Sequence, residues 1–220
     1  MKTSDKGLIA LAIHEGIAPA PYLDSVNVWT FGVGHTAAAG APDPAKMKRG
    51  MPADMDAALA QALALFRKDL AAYEAAVNRA VKVPVRQHEF DALVSFHYNT
   101  GGIGRAALVR SLNSGDRSAA AKGFMNWKKP AAIIGRRKQE KALFQSGIYP
   151  AGGIPIWNVG ASNRPGRVIR TLTHAEFLRM LRPEPTPALT VTDRKPEPEP
   201  EPEPRGWFAA LLGLLTGART

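Results

Sequence analysis

The pattern of apolar and polar positions divides the chain into a short mixed start, a long helical middle and a turn-rich end. Leu8, Ile9, Leu11, Ala12 and Ile13 supply apolar positions for a helix that Ser4 can cap, Asp5 suits in its first turn and Gly16 stops. Glu15 therefore falls at the helix end. Ala18 to Pro21 reads as a turn. Tyr22 to Thr36 reads as short strands rich in Val, Trp, Thr and Phe, broken at Asp24-Ser25 and bent at Gly32 and Gly34. From Pro52, set where a first helical turn accepts proline, a run of about 30 residues rich in strong helix formers predicts one long helix. Further helices are predicted at about 86–99, 105–113, 116–126 and 131–146, separated by "GGIG", "NSGD" and "KKP" and closed by Gly147. "IPIWNV" and "GRVIRTLT" flank the turn-forming "GASNRP", which predicts a small hairpin, and a short helix follows from Thr173 to Leu181.

From Pro183 the pattern changes. "PEPEPEPEP" (196–204) alternates proline with like charge and predicts an extended, solvated spacer. Beyond it, Trp207, Phe208, Leu211, Leu212 and Leu215 share one face of a helix about 20 Å long, too short for a hydrocarbon core of about 30 Å. Such a helix suits a membrane interface or a partner surface, and the alternative is a frayed apolar tail with no partner.

Composition narrows the chemistry. With 220 residues, 45% of them hydrophobic, the chain can bury a real core, and with no cysteine it must hold by packing, without disulfides, thiolate metal sites or a cysteine nucleophile. Residues 1–182 hold 25 Lys/Arg against 13 Asp/Glu, while residues 183–220 hold 4 against 6, so the globular part carries the positive charge. A field of that sign concentrates anionic polymers, be they nucleic acid, an acidic membrane face or an acidic cell wall. "MKTSDKGLIALAIHEG" has only a short apolar run, interrupted by His14 and Glu15, without the features of a secretory signal. Work outside the cytoplasm would then need another agent to let the protein out.

Three polar residues stand out beside the Gly32/Gly34 pair. A helix ending at Glu15 and feeding a tight hairpin would turn Glu15, Asp24 and Thr30 toward one space. Glycoside cleavage needs two carboxyl groups, one protonated to donate to the leaving oxygen and one ionised to activate water or stabilise positive charge. Glu15, following an apolar helix face, would be the partly buried donor, and Asp24, in a turn, the solvated carboxylate. The Thr30 hydroxyl could position a water. Each also has an ordinary reading, as a solvated helix end, an Asx-turn former and a strand residue. His14 and His35 lack a complete ligand set for a metal, and "GVGH" lacks the Gly-Lys-Ser/Thr ending of a phosphate loop. Arg136 and Arg137 lie one turn before Glu140, so they read as a surface ion pair, or as a source of one arginine for Glu15.

The stretch "HEG…PYLD…VWTFGVGHT" resembles the active-site segment of phage-type lysozymes, the endolysins or muramidases of glycoside hydrolase family twenty-four: a Glu closing the first helix, an Asp after an aromatic, and a Thr before Gly-x-Gly-His. "FDALVSFHYNTGGIG", "LVRSLNSGD", "FMNW" and "IIGRRKQEKALFQSG" resemble the helical lobe of that family, so the likeness runs from about residue 4 to 149, with "KKPAAIIG" shortened and altered. It implies an α+β, two-lobed lysozyme-like fold, a small N-terminal β-hairpin lobe and a helical C-terminal lobe joined by a long helix. The organisation expected is a lysozyme-like catalytic domain at 1–149, a small appended hairpin and helix at 150–182, a Pro/Glu-rich linker at 183–205 and an apolar helix at 206–220. It also implies hydrolysis of the β-1,4 bond between N-acetylmuramic acid and N-acetylglucosamine, usually with inversion, without metal or cofactor. Glu15 would be the general acid, Asp24 the carboxylate that activates or orients water, and Thr30 its helper, while Tyr98 and Asn99 match the inner wall of the cleft and Thr36 could contact sugar. The implied partner is peptidoglycan and not nucleic acid, reached in the periplasm from the cytoplasm through a holin lesion, with residues 206–220 free to meet the inner membrane or a partner. The competing readings are a non-catalytic wall-binding or virion module and a cationic membrane-disrupting protein acting through its tail.

Overall fold

Ser4 caps the first helix, α1 (Asp5–Glu15): its Oγ accepts from the Gly7 amide at 3.1 Å and donates to Asp91 Oδ2 at 2.5 Å. The helix ends at Gly16, whose φ of 68° disfavours any residue with a Cβ. These contacts come from a computed structural model that describes residues 1–182. The expected spacer at 183–205 and apolar helix at 206–220 lie outside the described residues.

A three-stranded antiparallel sheet follows, in the order β1 (Ala18–Leu23), β2 (Trp29–Gly32) and β3 (His35–Thr36). The expected turn at Ala18 to Pro21 is instead the first half of β1. Pro19 and Pro21 cannot donate to a ladder, and they fall within the irregular stretch between the pairs Ala18↔Gly32 and Tyr22↔Thr30, where the register shifts. Burial of Ala18 and Ala20 keeps this stretch extended.

The long helix, α2 (Met55–Ala80), has 26 residues and spans about 39 Å. It starts later than Pro52 suggests, because Asp54 supplies the cap by accepting from the Ala57 amide at 2.9 Å. Leu59, Leu63, Phe66, Leu70 and Val77 form its buried face. The sheet packs closely on it at Gly32, where a Cβ would lie 2.9 Å from that of Ala62.

Helices α3 (Gln87–Thr100), α4 (Ala107–Asn113), α5 (Arg117–Gly123) and α6 (Ile134–Ser146) form the helical part. Buried Phe90, Leu93 and Phe96 make α3 its centre, and Phe96 meets Phe124 and Trp127 edge-on at centroid distances of 5.5 and 5.2 Å. Short 3-10 turns at Phe124–Asn126 and Ala131–Ile133 take the ends of the two stretches read as single helices.

The expected hairpin is present as β4 (Ile154–Val159) and β5 (Pro165–Leu172), followed by α7 (His174–Leu181), which Thr173 and Glu176 open with a capping box. This segment shares the core of the rest. Ile154, Ile156, Leu172, Phe177 and Leu181 belong to the same apolar cluster as Leu11, Leu63 and Phe90, and Ile17 bridges in parallel to Ile156. The described residues form a helix-rich α+β fold around one main core, with a small antiparallel sheet at the end of the first helix and a minor apolar cluster of Ala18, Ala20 and Val159 beside it.

Candidate active site

Glu15 is the last residue of α1, and its side chain is about one-fifth exposed, at 21%. Of the readings open for the arginines, contact with Glu15 is the one observed: Arg136 Nη1 donates to Glu15 Oε1 at 2.5 Å. The surface ion pair is not. Arg136 Nε donates to Glu140 Oε1 at 2.9 Å, Arg137 Nη1 lies 3.1 Å from Glu140 Oε2, and Arg137 and Glu140 are fully buried. Burial works to lower the Arg136 pKa, but Glu15 and Glu140 outweigh it and the net shift is upward, so this arginine stays charged. Glu140 moves upward because burial outweighs its two arginines. His14, one residue before Glu15, is driven down to about 3 by burial and then by Arg136 and Arg137, which keeps it neutral.

Asp24 sits in the turn between β1 and β2, half-buried. Its Oδ1 accepts from the amides of Val26 at 2.9 Å and Val28 at 2.8 Å. The Asx-turn reading thus holds for one oxygen of this residue, and Asn27 completes the turn with a left-handed φ of 64°. Thr30 is buried in β2, and its hydroxyl donates to the Val28 carbonyl at 3.1 Å.

Strand register aligns Thr30 with a neighbour on either side. Tyr22 pairs with Thr30, and Thr30 pairs with Thr36, so the three side chains form one row across the sheet. Burial raises the Tyr22 hydroxyl pKa, and the charges of Glu15 and Asp24 raise it further. Thr36 is half-buried at the end of the row.

Tyr98 is tied into the packing around its ring. Its hydroxyl donates to the Val33 carbonyl, and its ring packs 4.6 Å from Tyr73 and 6.0 Å from Phe66, so it braces α3 against the turn after β2. Its pKa lies well above the usual tyrosine value, through burial first and then Glu15. Asn99 is exposed, with its Oδ1 accepting from Arg137 Nη2 at 2.9 Å.

Two contributors escaped the sequence reading. Tyr22 was visible only as an aromatic before Asp24, and its place beside Thr30 depends on the register shift in β1. His35 and Asp69 form a buried pair with Nδ1 2.7 Å from Oδ2, while Nε2 lies 2.8 Å from the Pro42 carbonyl. That pair ties β3 to α2, and no local signal links residues so distant in sequence.

The family model for phage lysozyme matches residues 12–141, the stretch that holds both acids, the threonine row and the Arg136 network. The chain belongs to the phage lysozyme family. It is similar to the endolysin of Acyrthosiphon pisum secondary endosymbiont phage 1, 33% identical over 157 residues, which cover 66% of this chain and 99% of the relative. Among solved structures it is similar to an endolysin from Escherichia coli O157:H7 phage FAHEc1, at a TM-score of 0.60 and 31% identity over 69% of this chain and 98% of that one. It is also similar to the muramidase domain of SpmX from Asticaccaulis excentricus, at 0.55 and 30% over 66% and 98%. The helical part, the small sheet and the helix between them are thus the lysozyme-like fold of these neighbours.

Proposed function

We propose that this phage lysozyme is a muramidase that cleaves the β-1,4 bond between N-acetylmuramic acid and N-acetylglucosamine in peptidoglycan. The observation that supports this reading is that Glu15 closes α1, Asp24 occupies the β1–β2 turn and Thr30 lies in the adjoining strand, all within the residues that the phage lysozyme family model matches. In the reaction, protonated Glu15 donates to the bridging oxygen, which leaves with N-acetylglucosamine. Asp24 takes a proton from water, whose oxygen bonds to the anomeric carbon of N-acetylmuramic acid, and solvent then restores both carboxyl groups. Asp24 Oδ1 is spent on the turn, so Oδ2 is the oxygen for water. Thr30 gives its hydroxyl proton to Val28, so toward water it acts as an acceptor. Thr36 and Asn99 serve as sugar contacts, and Tyr98 shapes the wall behind them. Substrate stems carry carboxylates, and the basic charge of residues 1–182 supports long-range attraction to them.

The proposal extends to the place of action. The protein is made in the host cytoplasm, reaches the periplasmic wall through a lesion made by a separate holin, and uses residues 206–220 to touch the inner-membrane surface or a partner. The acidic spacer and apolar face in the sequence support that contact. No helix among the described residues is long and apolar enough to cross a membrane.

Product analysis on purified peptidoglycan tests the chemistry. Wild type is expected to create new reducing ends at N-acetylmuramic acid, with Glu15→Gln and Asp24→Asn lower by about a hundredfold or more. New amino or carboxyl ends without reducing ends would instead mean amidase or peptidase chemistry. Deleting residues 183–220 tests the tail, with unchanged membrane fractionation and lysis timing counting against it.

A further inference from the structure

The span from Glu15 to Asp24 is weakly held by its own sheet. It starts at a glycine with positive φ, carries Pro19 and Pro21, and loses register with β2 between Ala18 and Tyr22. Its other side is lined, contact by contact, by the β4–β5 hairpin. At the Glu15 end, the Ile17 amide donates to the Pro155 carbonyl at 2.8 Å and the Trp157 amide donates to the Ile17 carbonyl at 2.9 Å. The Trp157 indole lies so near Gly16 that a Cβ there would be 2.1 Å from Nε1. Midway, Val159 packs against Ala18, Ala20 and Tyr22. At the Asp24 end, the Leu23 amide donates to the Asn163 carbonyl at 2.7 Å. The Arg164 guanidinium then closes on the turn, with Nη1 donating to the carbonyls of Leu23 and Asp24 and Nη2 to Asn27 Oδ1.

We propose that the β4–β5 hairpin is a brace that sets the two carboxylates relative to one another, with Arg164 the positioning residue for Asp24. The inference rests on Glu15 and Asp24 being the reacting pair. The hairpin lies beyond residues 12–141, so this brace is an addition to the stretch that the family model matches. Its physical logic is direct. The turn holds Asp24 Oδ1 through two amides, so any sway of the turn carries Oδ2 with it, and small misplacements of a reacting group cost rate steeply. Arg164 is suited to this because a planar fork can grip several oxygens at once, whereas an ammonium holds as a point.

The test compares Arg164→Ala, Arg164→Lys and Arg167→Ala in the full chain. Arg167 is exposed on β5 and removes the same charge, so it controls for attraction to the anionic wall. In Arg164→Ala, kcat is expected to fall about tenfold with KM within about twofold, and Tm to move by no more than about 2 °C. Amide hydrogen exchange at Val26 and Val28 should quicken about tenfold, with Arg164→Lys intermediate in both readouts and Arg167→Ala like wild type. Unchanged exchange at those amides overturns the brace, as does an Arg167→Ala variant that loses as much activity as Arg164→Ala. If Asp24→Asn abolishes activity while Arg164→Ala keeps the wild-type kcat, the positioning role alone is lost. If Asp24→Asn keeps full activity, the reacting-pair reading fails first and takes the positioning role with it.

Discussion

Arg136 reaches from α6 to Glu15 at the end of α1, donating to its carboxylate at 2.5 Å, while the same guanidinium donates through Nε to Glu140 at 2.9 Å. One fixed charge thus links an acid that is one-fifth exposed to an acid sealed in the core. Nη2 adds a bond to the Ser95 carbonyl at 3.0 Å, so the arginine is pinned by α3 as well and has little freedom to leave Glu15. The helix end that carries the proposed proton donor is therefore anchored by the helical part of the molecule and not by the sheet alone.

Removing this link leaves Glu140 with half of its compensation in a buried site. Arg136→Met is expected to lower stability by about 3 kcal/mol in urea unfolding. Arg136→Lys should lose less, because an ammonium can neutralise one carboxylate but cannot bridge two. Equal losses in the two variants would mean that charge plays no part in the effect.

Stability should weaken in mild acid through His14. Its folded pKa of about 3 lies below the ordinary 6.5, so between those values the unfolded chain binds a proton that the folded chain does not. The contribution is therefore whole above 6.5 and is lost as pH falls toward 3. Urea midpoints measured across that window should decline for wild type and decline less for His14→Gln, and parallel curves would refute the assignment.

Two glycines at positive φ separate strain from crowding. Gly16→Ala forces a Cβ against the Trp157 indole at a φ of 68°, whereas Gly40→Ala, at 105°, meets nothing within 4 Å. Thermal unfolding should show a loss of about 1 kcal/mol for Gly40→Ala and roughly twice that or more for Gly16→Ala. Only the second should also reduce kcat, since Glu15 is its neighbour.

Thr30 offers a test of the proposed water site. Thr30→Ser keeps the hydroxyl that donates to Val28 and should retain kcat within about tenfold, while Thr30→Val, close in shape, should lose about a hundredfold with KM little changed. A Thr30→Val variant with normal turnover would remove the residue from the mechanism.

Local chemistry was legible wherever a single turn or a single period carried it. Ser4 and Gly16 bounded α1 and Gly147 closed α6, because a cap needs only residues within one turn of one another, and the short helix to Leu181 was legible without its Thr173–Glu176 capping box. The long helix was evident from its run of helix formers, although Asp54 rather than Pro52 decided its start. The spacing of Glu15, Asp24 and Thr30 was likewise readable, since a helix stop followed by a hairpin keeps them near in the chain.

What lay beyond the sequence depended on segments meeting from far apart. The sequence offered an arginine for Glu15 without saying which of Arg136 and Arg137, or that the same fork also holds Glu140, and nothing near Ala18 reveals that β2 on one side and the parallel Ile17–Ile156 bridge on the other make a proline-rich stretch extended. Capping and periodicity are short-range energies that the chain carries with it. Ion pairs in the core, strand register and the grip of Arg164 on the Asp24 turn exist only once long loops have closed, and tertiary packing chooses among the partners that local preference leaves open.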